Sequence, residues 1–275
     1  MTAVAPTQGS VEIGGATLVY HRRPPLTGER VEPVILLHPW FGNWRFWRQT
    51  VDALPEFEAY LVDLYSLGAG AQWQRFAGPQ ALAQAVRTML DALHIERCSV
   101  VGNSMGGIAA QALAAMGRKR IDKLVLVGTG ARTVGVKPEF RRALDDWIAG
   151  PPDRAFTERL VDALLARRPA PEEFDVFVEA VMKANKAFMG AVLNSAFELD
   201  LRPELPKITA RTLIIRGELD AARTRAHAEE LLAGIHLSTA LEIAGAGHSP
   251  QVDSPEAFAR ALRGFLLRDT AKQES

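Results

Sequence analysis

The sequence predicts an α/β fold: a mostly parallel central β-sheet flanked by helices, with a block of helices inserted between two strands. Three observations lead there. Short β-branched runs alternate with helix-length segments along the chain. Most of these runs are apolar without alternation, as strands covered on both faces should be. Between the run ending at Val127 and the run starting at Thr212 lie about eighty residues with helical patterns and no good strand.

In chain order, strands are expected at Val11–Ile13, Thr17–His21, Val34–His38, Ala59–Asp63, Ser99–Gly102, Leu124–Val127, Thr212–Arg216 and Ala240–Ile243. Helices are expected at Phe46–Ala53, Pro79–His94, Met105–Met116, Thr224–Ala233 and Pro255–Leu267. The last is introduced by Asp253-Ser254-Pro255-Glu256, which supplies an N-cap, a proline at the first helical position and an acid in the first turn. The inserted block reads as helices at Phe140–Ile148, Arg154–Ala166 and Glu172–Phe197, separated by Pro151-Pro152 and Pro169-Ala170-Pro171. A helical block between two strands of one sheet is expected to form a cap over the sheet edge, not a separate domain. The expected organisation is a core of residues 11–130 and 206–268, a helical cap of residues 131–205, and tails at 1–10 and 269–275.

Composition narrows the function. The 275 residues carry 32 Lys+Arg against 32 Asp+Glu, and this balance argues against nucleic acid as a partner, which needs a basic excess. With 48% hydrophobic and 23% charged residues, the chain has the make-up of an ordinary globular protein able to build a large core. The single cysteine, Cys98, excludes an intrachain disulfide and any cysteine metal cluster, and its apolar surroundings mark it as a buried structural thiol. No metal and no cofactor are expected. The first ten residues lack the basic-then-apolar pattern of an export signal, and no apolar run approaches membrane-spanning length. A soluble cytoplasmic protein acting on a small molecule, away from membranes, as a monomer or homodimer, is the expectation.

The strongest local signal is Val100-Val101-Gly102-Asn103-Ser104-Met105-Gly106-Gly107, a Gly-x-Ser-x-Gly motif entered by a β-run and left by an alanine-rich helix. That context is what a nucleophile elbow requires. A serine on a sharp strand-to-helix turn takes strained dihedrals, and Gly102 and Gly106 remove collisions on either side of it. The turn also sets Ser104 at a helix N-terminus, where backbone N–H groups favour a developing oxyanion. A serine hydroxyl needs a base. Of the six histidines, His94, His227 and His236 read as solvated or capping residues and His21 belongs to an early strand. His248 lies in the small-residue loop Ala244-Gly245-Ala246-Gly247-His248-Ser249-Pro250 directly after the last strand, where an imidazole can reach over the sheet edge. The base in turn needs a carboxylate to fix its tautomer. Gly217-Glu218-Leu219-Asp220 follows a buried strand; Asp220 is the orienting acid expected and Glu218 the rival.

With these pieces in place, the chain resembles the α/β-hydrolase fold superfamily across roughly Val11 to Leu267. The resemblance rests on His38-Pro39-Trp40-Phe41-Gly42-Asn43, Gly102-Asn103-Ser104-Met105-Gly106-Gly107, Gly217-Glu218-Leu219-Asp220 and Gly247-His248, in the order serine, acid, histidine. The resemblance implies that the Trp40 and Met105 N–H groups form an oxyanion hole. Two departures stand out. Pro39 occupies a position that is usually glycine and stiffens the loop. Asp63-Leu64-Tyr65-Ser66-Leu67-Gly68 departs from the usual Asp-x-x-Gly-x-Gly turn and reads as a surface loop, with Tyr65 within reach of the pocket. Three of the five tryptophans fall in residues 40–47. Phe46 and Trp47 are expected to pack inward, whereas His38, Phe41, Asn103, Tyr65 and Phe188 are the pocket candidates, implying a fairly apolar substrate.

The resemblance implies a serine hydrolase cleaving an ester or lactone through an acyl-enzyme on Ser104. One alternative is a carbon–carbon bond hydrolase of a vinylogous diketone, whose elbow the motif resembles but whose glycine-rich oxyanion loop Pro39-Trp40-Phe41 lacks. Others on the same fold are a slow-turnover ligand sensor and a cofactor-free oxygenase or perhydrolase. Haloalkane dehalogenases are disfavoured, because their elbow holds an aspartate.

Overall fold

The computed structural model describes residues 4–27, 32–116, 119–133 and 138–268. Eight strands form one sheet: β1 (Thr7–Ile13), β2 (Ala16–Arg23), β3 (Val34–Leu37), β4 (Ala59–Asp63), β5 (Cys98–Asn103), β6 (Ile121–Val127), β7 (Arg211–Gly217) and β8 (Ser238–Ile243). Their order is β1-β2-β4-β3-β5-β6-β7-β8. β2 runs antiparallel to β1 and β4, and all pairings from β4 to β8 are parallel. The fold is therefore the mostly parallel, helix-flanked sheet expected. The β1–β2 hairpin closes on Gly14-Gly15 at φ +55° and +86°, the left-handed pair a two-residue turn requires.

Parallel connections come from α1 (Arg48–Asp52), α2 (Pro79–Ala92) and α3 (Met105–Met116). Between β6 and β7 lie α4 (Pro138–Ala149), α5 (Arg154–Asp162), α6 (Pro171–Lys183) and α7 (Lys186–Glu198), followed by α8 (Arg225–Gly234), α9 (Pro250–Asp253) and α10 (Pro255–Leu266). The sheet is buried on both faces. Leu37, Val100 and Leu126 meet α2, α3 and the helical insertion on one side, while Leu36, Val101 and Val125 meet Trp47, Phe258 and Leu262 on the other. Phe46 and Trp47, adjacent in sequence, serve opposite faces and are both fully buried.

Three local expectations need correction. The first strand starts at Thr7, so residues 7–10 belong to the sheet and not to a tail; residues 1–3 and the tail at 269–275 lie outside the described residues. The long helix expected at Glu172–Phe197 is two: Ala184 is extended, and Asn185 starts α7 by accepting from the Phe188 N–H at 3.1 Å. Residues 64–69, expected at the surface, form a largely buried 3₁₀ turn. Ser254 stands at the N-cap of α10 ahead of Pro255, as expected, but makes no side-chain cap bond, and the Asp253 carboxylate is turned elsewhere.

Because β3 and β5–β8 are parallel, their C-terminal ends bring residues 38–43, 104, 128–133, 218–224 and 244–249 to one edge of the sheet. This is the edge where open α/β sheets bind ligands.

Candidate active site

The elbow follows from backbone geometry. Ser104 sits between β5 and α3 at φ +53°, a left-handed conformation costly for any residue with a side chain. Neighbouring strands hold it there, since the Ser104 N–H donates to Val127 O at 2.9 Å. A Cβ on Gly102 would strike the Gly106 carbonyl, and one on Gly106 would strike the carbonyls of Leu37 and His38. The two glycines thus let α3 start hard against the ends of β5 and β3. Ser104 keeps 9% of its surface exposed.

His248 Nε2 lies 2.8 Å from Ser104 Oγ, and His248 Nδ1 lies 2.9 Å from Asp220 Oδ2. Asp220 is buried and its other oxygen accepts from the Ala222 and Arg223 N–H groups, both at 2.9 Å. Burial pushes its carboxyl pKa up, but the bond from His248 and these two N–H groups prevail and hold it below the ordinary value. An anionic Asp220 accepts a hydrogen bond from Nδ1–H, which leaves Nε2 free to accept from the Ser104 hydroxyl. Glu218, the rival acid, instead takes the Gly245 N–H at 2.8 Å on the exposed side of the loop. Among the described residues no cluster of His, Cys, Asp or Glu forms a metal site.

Asn103 was expected in the pocket wall, but it is completely buried. Its Nδ2 donates to Val127 O and His248 O, both at 3.0 Å, and its Oδ1 accepts from Ser249 Oγ at 3.0 Å and Gln251 Nε2 at 2.9 Å. Three of these four bonds join the elbow to His248, Ser249 and Gln251, and the fourth ties it to the end of β6. Sequence could flag the residue but not its partners, which come from a loop about 145 positions away.

The loop after β3 is the second wall. Pro39 O accepts from the Gly42 N–H at 3.0 Å and from His38 Nδ1 at 2.9 Å, folding Trp40 and Phe41 into a tight turn. The Trp40 N–H has no backbone acceptor among the described residues, and the Met105 N–H lies in the first turn of α3, where no intrahelical acceptor exists. The Trp40 indole donates to Met189 O in α7 at 3.0 Å, tying this turn to the helical insertion. Phe41 packs on Trp40 and on Trp147 of α4, with centroids 3.8 and 6.1 Å apart.

Two more pocket expectations are corrected. His38 is fully buried with both ring nitrogens engaged: Nδ1 donates to Pro39 O, and Nε2 accepts from the Leu64 N–H at 3.0 Å. It therefore braces the turn against residues 64–69. Phe188 is also fully buried, edge-on to Tyr65 and Trp73, and presents no accessible wall. Tyr65 lines a cleft of about 500 Å³ with Gly42, Asn43, Asp63, Lys183 and Asn185, whose lining does not include Ser104, His248 or Asp220. Its hydroxyl and Asn43 Nδ2 are buried without a partner, and burial pushes the Tyr65 pKa well above the ordinary value.

An ordered serine–imidazole–carboxylate chain at the N-terminus of α3 is equipped for acyl transfer. Comparison with known proteins agrees in kind. The model of the alpha/beta hydrolase family matches residues 34–261. The chain is 27% identical over 248 residues to the pimeloyl-[acyl-carrier protein] methyl ester esterase of Vibrio cholerae serotype O1, covering 86% of this chain and 95% of that protein. It is 26% identical over 287 residues to the 2-hydroxy-6-oxononadienedioate/2-hydroxy-6-oxononatrienedioate hydrolase of Escherichia coli strain K12, covering 94% of each. A thermophilic esterase structure from Thermogutta terrifontis superposes with a TM-score of 0.77 at 25% identity, covering 97% of this chain and 98% of that one. The chain belongs to the α/β hydrolase family. Among the described residues, no helix is long and apolar enough to cross a membrane.

Proposed function

Taking that membership as the premise, we propose that the protein is a serine hydrolase that cleaves an ester or lactone of a fairly apolar small molecule. The observation that carries this reading is the continuous Ser104–His248–Asp220 chain, with contacts of 2.8 and 2.9 Å. Ser104 Oγ attacks the substrate carbonyl carbon as its proton passes to His248 Nε2, and Asp220 stabilises the imidazolium. The oxyanion takes the N–H groups of Trp40 and Met105. His248 returns the proton to the departing alkoxide oxygen, leaving an acyl group on Ser104. A water molecule, deprotonated by the same imidazole, then releases the acid. Residues 131–205 act as the cap, and Trp40, Phe41 and Trp147 supply the apolar wall that favours such a substrate.

A second reading, carbon–carbon bond hydrolysis of a vinylogous diketone, is supported by the relative from Escherichia coli that spans 94% of both chains. The ester reading ranks first because Pro39-Trp40-Phe41 is stiff and bulky where that alternative calls for a glycine-rich loop. A panel of aryl esters, lactones and vinylogous diketones, each run against Ser104→Ala, separates the two. The expected result is Ser104-dependent turnover of esters or lactones at about 1 s⁻¹ or faster. Fast turnover of the diketones alone would establish the second reading. Tight binding without turnover would make the protein a sensor.

A further inference from the structure

The Asp253 carboxylate, just ahead of α10, takes its partners outside that helix. Asp253 is 2% exposed. Its Oδ2 accepts from the Gly247 N–H at 2.7 Å, and Gly247 immediately precedes His248. Its Oδ1 accepts from the Ala166 N–H at 2.9 Å, with the Arg167 N–H at 3.5 Å, just beyond α5 in the helical insertion. Arg167 Nη2 returns a bond to the Asp253 carbonyl at 2.8 Å. The two segments touch directly as well: a Cβ on Gly247 would lie 2.7 Å from Ala166 N. One buried carboxylate thus holds the His248 loop with one oxygen and the insertion with the other.

We infer that Asp253 is a positioning residue that couples the helical insertion to His248, so that a shift of the α5 exit is transmitted to the imidazole facing Ser104. The inference rests on the hydrolase reading for the purpose of the coupling, though not for its existence. The His248 loop is gripped from two sides. Asn103 ties His248 O to the sheet, and Asp253 ties Gly247 N to the insertion. The first anchor belongs to the rigid core, whereas the second belongs to the element that closes over the substrate in the reading above. A carboxylate serves here where an amide cannot. Asparagine offers one acceptor oxygen, and its NH₂ would face an N–H donor, so it can keep Gly247 or Ala166 but not both.

The test is site-resolved hydrogen exchange on the full chain, with and without a fluorophosphonate adduct on Ser104, for the native protein, Asp253→Asn and Asp253→Glu. In the free native protein, the Gly247, Ala166 and Arg167 amides should be protected, and the adduct should slow all three further. In Asp253→Asn, exchange should rise about tenfold at one end of the tether or both, and adduct-induced protection should stop at Gly247 without reaching Ala166. The rate of adduct formation should fall by about tenfold. Asp253→Glu, which keeps two acceptor oxygens, should recover part of both effects. Adduct protection that still reaches Ala166 in Asp253→Asn, or unchanged exchange in that variant, would overturn the inference. If Asp253→Asn does not fold, Arg167→Ala replaces it. Ala166 exchange should then rise and adduct protection there should weaken, and no change at Ala166 would count against the coupling. Absence of an adduct on native Ser104 would instead count against the hydrolase reading, and the free-protein exchange would still decide the tether.

Discussion

The two walls of the site are built on opposite plans. Around β5 and the His248 loop, most buried polar groups are tied down: the Asn103 side chain makes four hydrogen bonds, Asp220 accepts three, and Asp253 bridges two segments, with Gln251 Oε1 the exception. The segments 38–43 and 63–69 leave some capacity unused. Asn43 Nδ2 and Tyr65 Oη are buried without partners beside a cleft of about 500 Å³. The contrast separates two tasks. In the proposed mechanism, the groups that carry the proton transfer are the ones held by several bonds each, while Asn43 and Tyr65 keep unused donors.

The largest effect should come from the nucleophile itself. Ser104→Ala should reduce turnover by about 10³-fold or more with little change in melting temperature, since the tied wall remains intact. Asp220→Asn should cost about 10³–10⁴-fold by favouring the wrong imidazole tautomer, whereas Glu218→Gln, altering only the exposed contact with Gly245, should stay within a few-fold. Steady-state kinetics on one aryl ester checks all three.

Asn103→Ala probes the tied wall without touching the reacting atoms. It strands the His248 carbonyl, the Ser249 hydroxyl and the Gln251 amide. Denaturant unfolding should show a loss of about 2–4 kcal/mol, and kcat should fall by about ten- to a hundred-fold while KM changes little. Acid titration gives a smaller effect with a definite sign. The Asp220 carboxyl is held below its ordinary pKa, so its contribution to stability is complete above the unfolded carboxylate range and is lost as pH falls through the folded value. The stability gap between the native protein and Asp220→Asn should therefore be widest near neutral pH and close in acid. The smallest effect belongs to the open wall. Tyr65→Phe removes a hydroxyl that has no partner, so stability should be unchanged or slightly raised, by under about 1 kcal/mol. A loss comparable to that of Asn103→Ala would erase the contrast between the walls.

What sequence could and could not show follows the same division. The eight strands, the elbow, the His248 loop and Asp220 were readable because each is announced by a local pattern: an apolar run, a glycine spacing, an acid just past a buried strand. His38 and Asn103 read as pocket candidates, and Asp253 carries no signal beyond its place ahead of α10. Their roles depend on partners such as Leu64, Ser249 and Ala166, which only the folded chain brings near. The break at Ala184-Asn185 leaves no periodic signal, because apolar spacing continues through it and the cap that starts α7 is a single side-chain bond. Phe188 carried the apolar signal of a pocket wall, and burial against Tyr65 and Trp73 made it core.

The central claim is that the Ser104–His248–Asp220 chain activates Ser104. Treatment of the folded protein with a fluorophosphonate, followed by peptide mass spectrometry, tests it most directly. The expected result is one adduct per chain, located on Ser104 and absent from Ser104→Ala. A folded protein that takes no label on Ser104, or is labelled equally after that substitution, would contradict it.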